Sequence, residues 1–297
     1  MAGVSRSLAP ASLIYNPKAG RRRHNRTIEG IKSALGATYD LAVHPTTGPR
    51  HAIELARAAS LRGDVAVFAW GGDGTVREVA EGILGSTTHL GVLPGGTFNV
   101  VALAIGLPRD PVRAARILAR AVPRARDVGL IAGTPFLMQA TAGLDGFLVH
   151  HLRPDLKARL GMAGAVVDGL RALMRYRFPR FRVSVDGAEH EVTGAGFVNM
   201  TEYAGRYHFV PGARWDDGKA HVLLYTGRTR LTAVRFAIDL ALGRHHLRRD
   251  VVIKEARTMT ISDSPGVHVQ TDGDAWPGAL PATCRLASEQ IQVLIPV

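Results

Sequence analysis

Cysteine is nearly absent from this sequence: of 297 residues only Cys284 carries a thiol, so no disulfide can form within the chain. A lone thiol fits a reducing cytoplasm and reads as a small buried apolar residue. Long apolar runs are missing too, and no segment approaches the roughly 20 apolar residues of a membrane-spanning helix. The N-terminal stretch carries Arg6, but its apolar run stops at Asn16-Pro17, so it is not expected to be a signal peptide. Several catalytic patterns are lacking: there is no Gly-x-Ser-x-Gly elbow, no cysteine pair and no His-Glu-x-x-His helix. His245-His246 reads as a solvated surface pair. Gly194-Ala195-Gly196 lies inside a strand pattern, without the helix that a dinucleotide site needs. Acidic residues are scarce beside basic ones, 25 against 37, which gives a net charge of +12. That excess attracts phosphate-bearing partners: nucleic acid, a nucleotide or an anionic membrane surface. Charge alone does not choose among them.

What is present is an ordinary globular composition, 46% hydrophobic, in a chain long enough for two modest domains of about 100–150 residues each. The first part alternates short apolar runs with helical patterns. Strands are expected at Ser12–Tyr15, Thr38–Val43, Val65–Trp70 and Leu90–Leu93, and helices around Asn25–Leu35, His51–Ala59, Thr75–Leu84 and Asn99–Ile105. Such alternation implies an α/β domain, a parallel sheet with crossover helices whose ligand sits beyond the carboxyl ends of the strands. After about residue 124 the pattern changes. Phe136–Ala140, Arg182–Val185, Gly196–Met200, Ala220–Tyr225, Val251–Glu255, Thr258–Ser262 and Val267–Gln270 read as strands, which argues for an antiparallel β-sandwich. Helical stretches at Leu156–Tyr176 and Thr232–Leu242 interrupt them. The expected division is an α/β domain over 1–130 and a sandwich over 131–284, with a tail at about 285–297 free to return to the first.

The sharpest local signal is Gly71-Gly72-Asp73-Gly74-Thr75, placed after an apolar strand and opening a helix. Glycines there let the backbone approach a ligand and aim N–H groups at an anion, which the helix dipole also favours. An aspartate in the middle of an anion site calls for a cation, and Mg²⁺ bridging to phosphates supplies it. A second glycine turn, Pro94-Gly95-Gly96-Thr97-Phe98-Asn99, follows the next strand, where Thr97 offers a hydroxyl and Asn99 an amide to a nucleotide. Asn16-Pro17-Lys18-Ala19-Gly20, followed by three arginines, and His44-Pro45-Thr46-Thr47-Gly48 end the first two strands. Four such turns along one sheet edge make a phosphate-binding edge.

With Glu78, Gly82 and Leu107-Pro108 added, these turns resemble the catalytic domain of the diacylglycerol kinases and sphingosine kinases. The resemblance continues through Asp127-Val128-Gly129, Phe136 and Ala142-Gly143, then Asn199, Pro211, Ala213 and Asp216-Asp217-Gly218, and ends at Asp272-Gly273-Asp274. It implies an ATP-dependent lipid kinase. ATP would be held by Asn16, Pro17, Lys18, Ala19, Gly20, Thr46, the turn Gly71, Gly72, Asp73, Gly74, Thr75, and Thr97. Asp217 would bind a structural Mg²⁺, with backbone groups of Arg214 and Lys219. Asp274 would be the general base toward the lipid hydroxyl, supported by Asp272. Without the resemblance, Asp272-Gly273 reads as a hairpin turn.

Three positions depart from the family pattern: Asp274 stands for the usual Glu, Val100 for an Asp common in bacterial members, and Arg77 for an Asn. The stretches His151–Arg182 and Arg228–Arg249 mix arginines with apolar residues in the manner of interfacial helices. Expected partners are therefore ATP, a lipid substrate and an anionic membrane surface met peripherally from the cytoplasm. Nucleic acid is not among them, and a homodimer stays open. Two rival readings remain: a soluble-substrate kinase of the NAD kinase type, and a catalytically weak lipid- or nucleotide-binding regulator.

Overall fold

The computed structural model describes residues 8–18, 24–151, 167–203 and 207–297. Ala19, Gly20, the arginines at 21–23 and the first part of the helix expected over Leu156–Tyr176 lie outside the described residues. The chain divides into two units, Met1–Arg126 with Ser288–Val297, and Asp127–Ala287.

In the first unit, strand and helix alternate through β1 (Ala9–Tyr15), α1 (His24–Leu35), β2 (Tyr39–Pro45), α2 (His51–Leu61), β3 (Ala66–Gly71), α3 (Asp73–Ile83) and β4 (His89–Pro94). Then come α4 (Val100–Ala104), α5 (Pro111–Leu118) and β5 (Val122–Arg126). The sheet order is β2-β1-β3-β4, the C-terminal strand Ile291–Ile295, and β5. All pairs are parallel except that with β5. Every residue of β3 is buried, as a strand covered on both faces must be. Helix α3 buries Val76, Val79, Ala80 and Ile83, one stripe of a 3.6-residue period. Gly82 lets α2 lie close against it, since a Cβ there would stand 2.5 Å from the Ile53 carbonyl oxygen. Helix α5 escaped the sequence reading. It opens on Pro111 after Asp110, whose Oδ1 accepts from Arg113 N at 2.7 Å, an N-cap contributing about 1 kcal/mol.

The second unit begins with β6 (Gly129–Ile131), β7 (Thr134–Phe136), β8 (Gln139–Gly143) and α6 (Leu144–His151). A helix described over residues 167–175, α7, precedes β9 (Phe181–Val185), β10 (Ala188–Val192) and β11 (Gly194–Val198). A small hairpin, β12 (Glu202–Tyr203) and β13 (Tyr207–His208), leads to β14 (Ala220–Tyr225), α8 (Arg230–Ala241) and β15 (Val251–Ala256). β16 (Thr258–Ile261), β17 (Val269–Thr271), β18 (Asp274–Ala275) and β19 (Ala282–Leu286) complete it. Two antiparallel sheets result among the described residues, ordered β10-β9-β16-β19-β6-β7 and β15-β14-β11-β8-β17-β18. Their inner faces share a core that includes Phe136, Phe197, Val183, Met259 and Cys284. Burial raises the Cys284 thiol pKa, so it stays protonated and inert.

Two expectations need correction. A single strand over Phe136–Ala140 does not form, because β7 and β8 belong to different sheets. The backbone between them turns toward Asp272, whose carboxylate accepts from the N–H groups of Leu137, Met138 and Gln139 at 2.7, 2.8 and 3.1 Å. His245 is not at the surface: it is fully buried, and its Nε2 donates to the Phe209 carbonyl oxygen at 2.8 Å. Phe236 packs edge-on against its ring, which the sequence neighbourhood of arginines concealed.

Candidate active site

In the first unit the ends of β1, β2, β3 and β4 lie on one sheet edge, and their turns enclose a cavity of about 490 Å³. Asn16, Pro17, Lys18, Thr46, Thr47, Gly48, Gly72, Gly74, Thr75, Glu78 and Gly96 are among the residues lining it. Backbone bonds set the height of each turn: Asn16 N donates to Trp70 O at 3.2 Å and Thr46 N to Tyr15 O at 2.8 Å. The two glycine turns stack on one another. Gly95 N donates to Gly71 O at 2.8 Å, and a Cβ on Gly96 would stand 2.6 Å from the Gly72 Cα. A Cβ on Gly71 would meet the Thr75 Oγ1 at 2.5 Å. Only glycine permits this approach. Helix α3 starts at this wall, and the first N–H groups of a helix have no acceptor inside it. Together with Lys18 this makes a cradle suited to polyphosphate.

Thr97 is exposed and is not among the lining residues. Asn99 does not offer its amide outward. With φ of 51° it folds back on its own turn, its Oδ1 accepting from Gly96 N at 2.7 Å and its Nδ2 donating to Gly96 O at 2.9 Å. It shapes the turn instead of reaching a ligand, and short polar side chains tolerate that backbone region for this reason. Asp73, half-buried at the start of α3, accepts from Val101 N at 3.2 Å through Oδ1 and so ties α4 to the glycine turn. Glu78 is similarly engaged, its Oε1 accepting from Arg50 N at 2.9 Å.

In the second unit, Asp272 and Gly273 form the turn between β17 and β18, both at positive φ. Asp272 is 6% exposed and its carboxylate holds the three amides described above, so it anchors the turn. Asp274, the first residue of β18, is exposed. The turn has a second brace that the sequence did not reveal: Gly273 N donates to the buried Gln270 Oε1 at 2.7 Å. Gln270 Nε2 in turn donates to Thr141 Oγ1 at 2.6 Å and to Asp145 Oδ2 at 2.8 Å.

The Asp216-Asp217-Gly218 turn is held from behind by Asp127, whose Oδ2 accepts from Gly218 N at 2.9 Å. Asp217 is exposed, and its Oδ1 accepts from Lys219 N at 3.0 Å. The Arg214 side chain pairs with Asp216 and the Lys219 ammonium with Glu255, and the Lys219 charge also acts on Asp217 nearby. Among the described residues no group of three or more His, Cys, Asp or Glu gathers as a metal cluster. A single carboxylate suits a largely hydrated Mg²⁺.

A second cavity, of about 360 Å³, opens on the outer face of the β8-β11-β14 sheet under α8. Leu144, Leu148, Leu223, Phe209, Phe236 and Leu240 give it apolar walls. At one wall Asp145 Oδ1 accepts from the Tyr203 hydroxyl at 2.7 Å. Burial, then the Asp145 charge, raises the Tyr203 phenol pKa well above its ordinary value, so it remains a donor. Among the described residues no helix is long and apolar enough to cross a membrane.

Comparison with known proteins agrees with this geometry. Residues 10–131 match the family described as Diacylglycerol kinase catalytic domain, and residues 139–295 the YegS C-terminal NAD kinase beta sandwich-like domain. The chain is 27% identical over 292 residues to a diacylglycerol kinase of Bacillus subtilis (strain 168), covering 96% of each. It is 31% identical over 233 residues to a protein of Chromohalobacter salexigens named "Probable lipid kinase YegS-like", covering 76% of this chain and 74% of that one. A solved Bacillus anthracis str. Sterne structure, assigned by name to a diacylglycerol kinase, shares the fold with a TM-score of 0.82 at 21% identity, over 99% of this chain and 98% of that one. With matches to both domains and a curated relative 31% identical over three quarters of its length, this chain belongs to the diacylglycerol kinase and YegS-like family of lipid kinases.

Proposed function

We propose that this protein transfers the γ-phosphoryl group of ATP, with Mg²⁺, to the hydroxyl of a long-chain lipid. The observation that carries the lipid half is the apolar cavity of about 360 Å³ under α8, a volume within the usual range of roughly 300–1,000 Å³ for small-molecule sites. Most of its lining is Leu, Phe, Ala and Gly, with Thr141, Asp145 and three tyrosines as the polar exceptions, a balance that suits an acyl chain with a small polar end better than a dinucleotide or sugar.

The roles follow from the chemistry of each group. Asn16, Pro17, Lys18, Thr46, Gly71, Gly72, Gly74, Thr75 and Thr97 hold the nucleotide, with Lys18 and the α3 N-terminus facing its phosphates. Asp73 organises the metal–nucleotide complex while keeping α4 in place. Mg²⁺, when bound, neutralises phosphate charge as the phosphoryl group moves. Asp274 takes the proton of the acceptor hydroxyl, a step for which a positioned base contributes roughly 10²–10⁴-fold. Asp272 fixes the turn that presents it. Asp217, with backbone groups of Arg214 and Lys219, holds a structural Mg²⁺. The enzyme works in the cytoplasm at the inner face of an anionic membrane.

The test is transfer of label from γ-labelled ATP to a panel of lipids in mixed micelles, with soluble dinucleotide as a parallel acceptor. Labelling of one or more lipid alcohols, dependent on divalent metal, is expected. Labelling of the dinucleotide alone would replace this reading with a soluble-substrate kinase. Vesicle binding without any transfer would leave a regulator.

A further inference from the structure

The wall of the apolar cavity carries one ionisable group whose presence the packing does not explain. Asp145, at the start of α6, lines the cavity and is half-buried. Its carboxylate accepts from Thr141 Oγ1 at 2.6 Å, from Gln270 Nε2 at 2.8 Å and from the Tyr203 hydroxyl at 2.7 Å. All three donors are neutral, and no Lys, Arg or His side chain pairs with it among the described residues. A carboxylate set in an apolar wall is costly unless its hydrogen-bonding capacity is used. A carboxylate offers about four acceptor positions, and the described residues fill three of them. Among the described residues the fourth is not taken; it belongs to Oδ1, which accepts from the Tyr203 hydroxyl.

The same side chains fix the direction of the cavity. Thr141 and Gln270 are buried, at 2% and 1% exposure, so the donors that hold Asp145 are rigid. Through Gln270 the carboxylate is joined to Gly273 N, in the turn that bears Asp274. The polar end of the cavity and the acidic turn are thus two ends of one hydrogen-bonded chain within the second unit. A lipid whose tail fills the cavity directs its polar end to Asp145.

We propose that Asp145 determines which lipids this protein accepts: its Oδ1 takes a hydrogen bond from a second donor, hydroxyl or ammonium, carried by the lipid beside the hydroxyl that reacts. The proposal rests on the lipid-kinase reading for its meaning, but it makes a claim about binding that needs no turnover. A lone hydroxyl serves either Asp145 or the reaction, not both. Lipids with a vicinal hydroxyl or amine gain a charge-assisted bond to the half-buried carboxylate while the other hydroxyl stays free to react.

The experiment uses the full-length protein without ATP, and three single-chain probes at concentrations where each is monomeric: dodecyl methyl ether, which has no donor, the vicinal diol of the same chain length and the matching vicinal amino alcohol. Affinity is read by displacement of a fluorescent long-chain probe. The wild type should bind the diol, the amino alcohol or both about 10-fold or more tightly than the ether, since a hydrogen bond to a charged group discriminates on that order. Gain for both assigns a neutral donor; gain for the amine alone assigns a cation. Asp145→Asn, which keeps shape but not charge, should cut the preference to within about threefold and leave binding of the donor-free ether unchanged. Tyr203→Phe, which keeps the carboxylate, should retain or strengthen the preference and guards against a folding defect at position 145. Equal affinity of the wild type for all three probes overturns the proposal. So does a folded Asp145→Asn protein that keeps the preference. Were the protein to phosphorylate no lipid while Asp145-dependent binding persisted, the kinase reading would fall and this one would stand.

Discussion

Gly96→Ala is the most direct test of the phosphate cradle, because the structure says what the added methyl group meets. The new Cβ would lie 2.6 Å from the Gly72 Cα and 3.3 Å from the Gly72 N. These are backbone atoms of the opposite turn, so no rotamer change relieves the clash. The two turns must part by several tenths of an ångström, or the chain must absorb the strain. Overpacking of this kind costs about 1–3 kcal/mol of stability, which lowers Tm by about 2–4 °C per kcal/mol in a chain of roughly this size. The functional loss should be the larger effect, since a misplacement near 1 Å can cost on the order of 10²-fold. We expect kcat/KM for ATP to fall about 10–100-fold in a folded protein, or about 1.4–2.7 kcal/mol of transition-state stabilisation. Gly169→Ala is the control: nothing lies within 4 Å of its Cβ, and it sits in α7, so it should be neutral or stabilising. The assay is initial rate against ATP concentration at saturating lipid, with circular dichroism melts alongside. A Gly96→Ala enzyme with wild-type ATP kinetics would mean that the stacked turns do not hold the phosphates.

Three further outcomes follow from individual side chains. Asp274→Asn should lower turnover roughly 10²–10⁴-fold with ATP affinity little changed, and Asp274→Glu should keep substantial activity; a fully active Asn variant would place the base elsewhere. Asp272→Asn presents an amide donor to the N–H groups of Leu137, Met138 and Gln139, so denaturant unfolding should show a loss of at least about 1–3 kcal/mol. Burial holds the His245 pKa below its ordinary value, against the opposing bond to the Phe209 carbonyl; its contribution is therefore present above the unfolded value near 6.5 and is lost as pH falls from there toward the folded value. His245→Gln should flatten part of the stability loss between about pH 7 and pH 5, part only because His44, His89 and His268 are shifted the same way; an unchanged slope would refute it.

The sequence revealed features whose physical causes are local. β3 is a continuous apolar run closed by glycines, and α3 shows its buried stripe at fixed spacing, so both could be read directly. Asn16, Thr46, Gly72 and Gly96 come together because parallel strands end on a common edge, a rule that needs no side-chain detail. What escaped depends on longer-range or finer geometry. β10, with the sequence Ala188–Val192, is an edge strand with a mostly exposed polar face and no apolar alternation to mark it. The direction of the Asn99 amide follows from one left-handed backbone angle. Gln270 and Asp145 are 125 positions apart and meet only because β17 pairs with β8. The cavity itself is lined from five separate stretches of the chain, each of which reads as ordinary core when taken alone.

Helix α8 joins the cavity to the question of the membrane. Ala233, Phe236, Ala237 and Leu240 face the cavity. Leu231, Val234, Ile238 and Leu242, spaced by three and four residues, form the opposite stripe and are 58, 39, 51 and 61% exposed. An exposed apolar stripe on a helix that already has a buried one marks a contact surface. The neighbouring helix α7 adds exposed Val167, Leu170 and Met174, and Arg230 binds the Met174 carbonyl oxygen at 2.6 Å, which keeps the two helices together. Arg171, Arg175, Arg177 and Arg235 belong to the same two segments and are exposed. Apolar residues among arginines suit an anionic bilayer, where each cation near the surface adds about 1 kcal/mol that salt screens. Sedimentation with vesicles should therefore show binding that rises with anionic lipid content and falls with salt. Arg171→Gln, Arg175→Gln and Arg177→Gln together should weaken it by about 10²-fold if each charge counts fully. Ile238→Asn, which removes apolar surface without adding charge, should weaken it to a similar degree at low and high salt. Both changes should slow phosphorylation of vesicle-borne lipid and spare a short-chain soluble alcohol, because neither alters the cavity wall. A protein that ignores vesicles of every composition, yet phosphorylates long-chain lipid in them at the wild-type rate, would show that α8 does not face the bilayer.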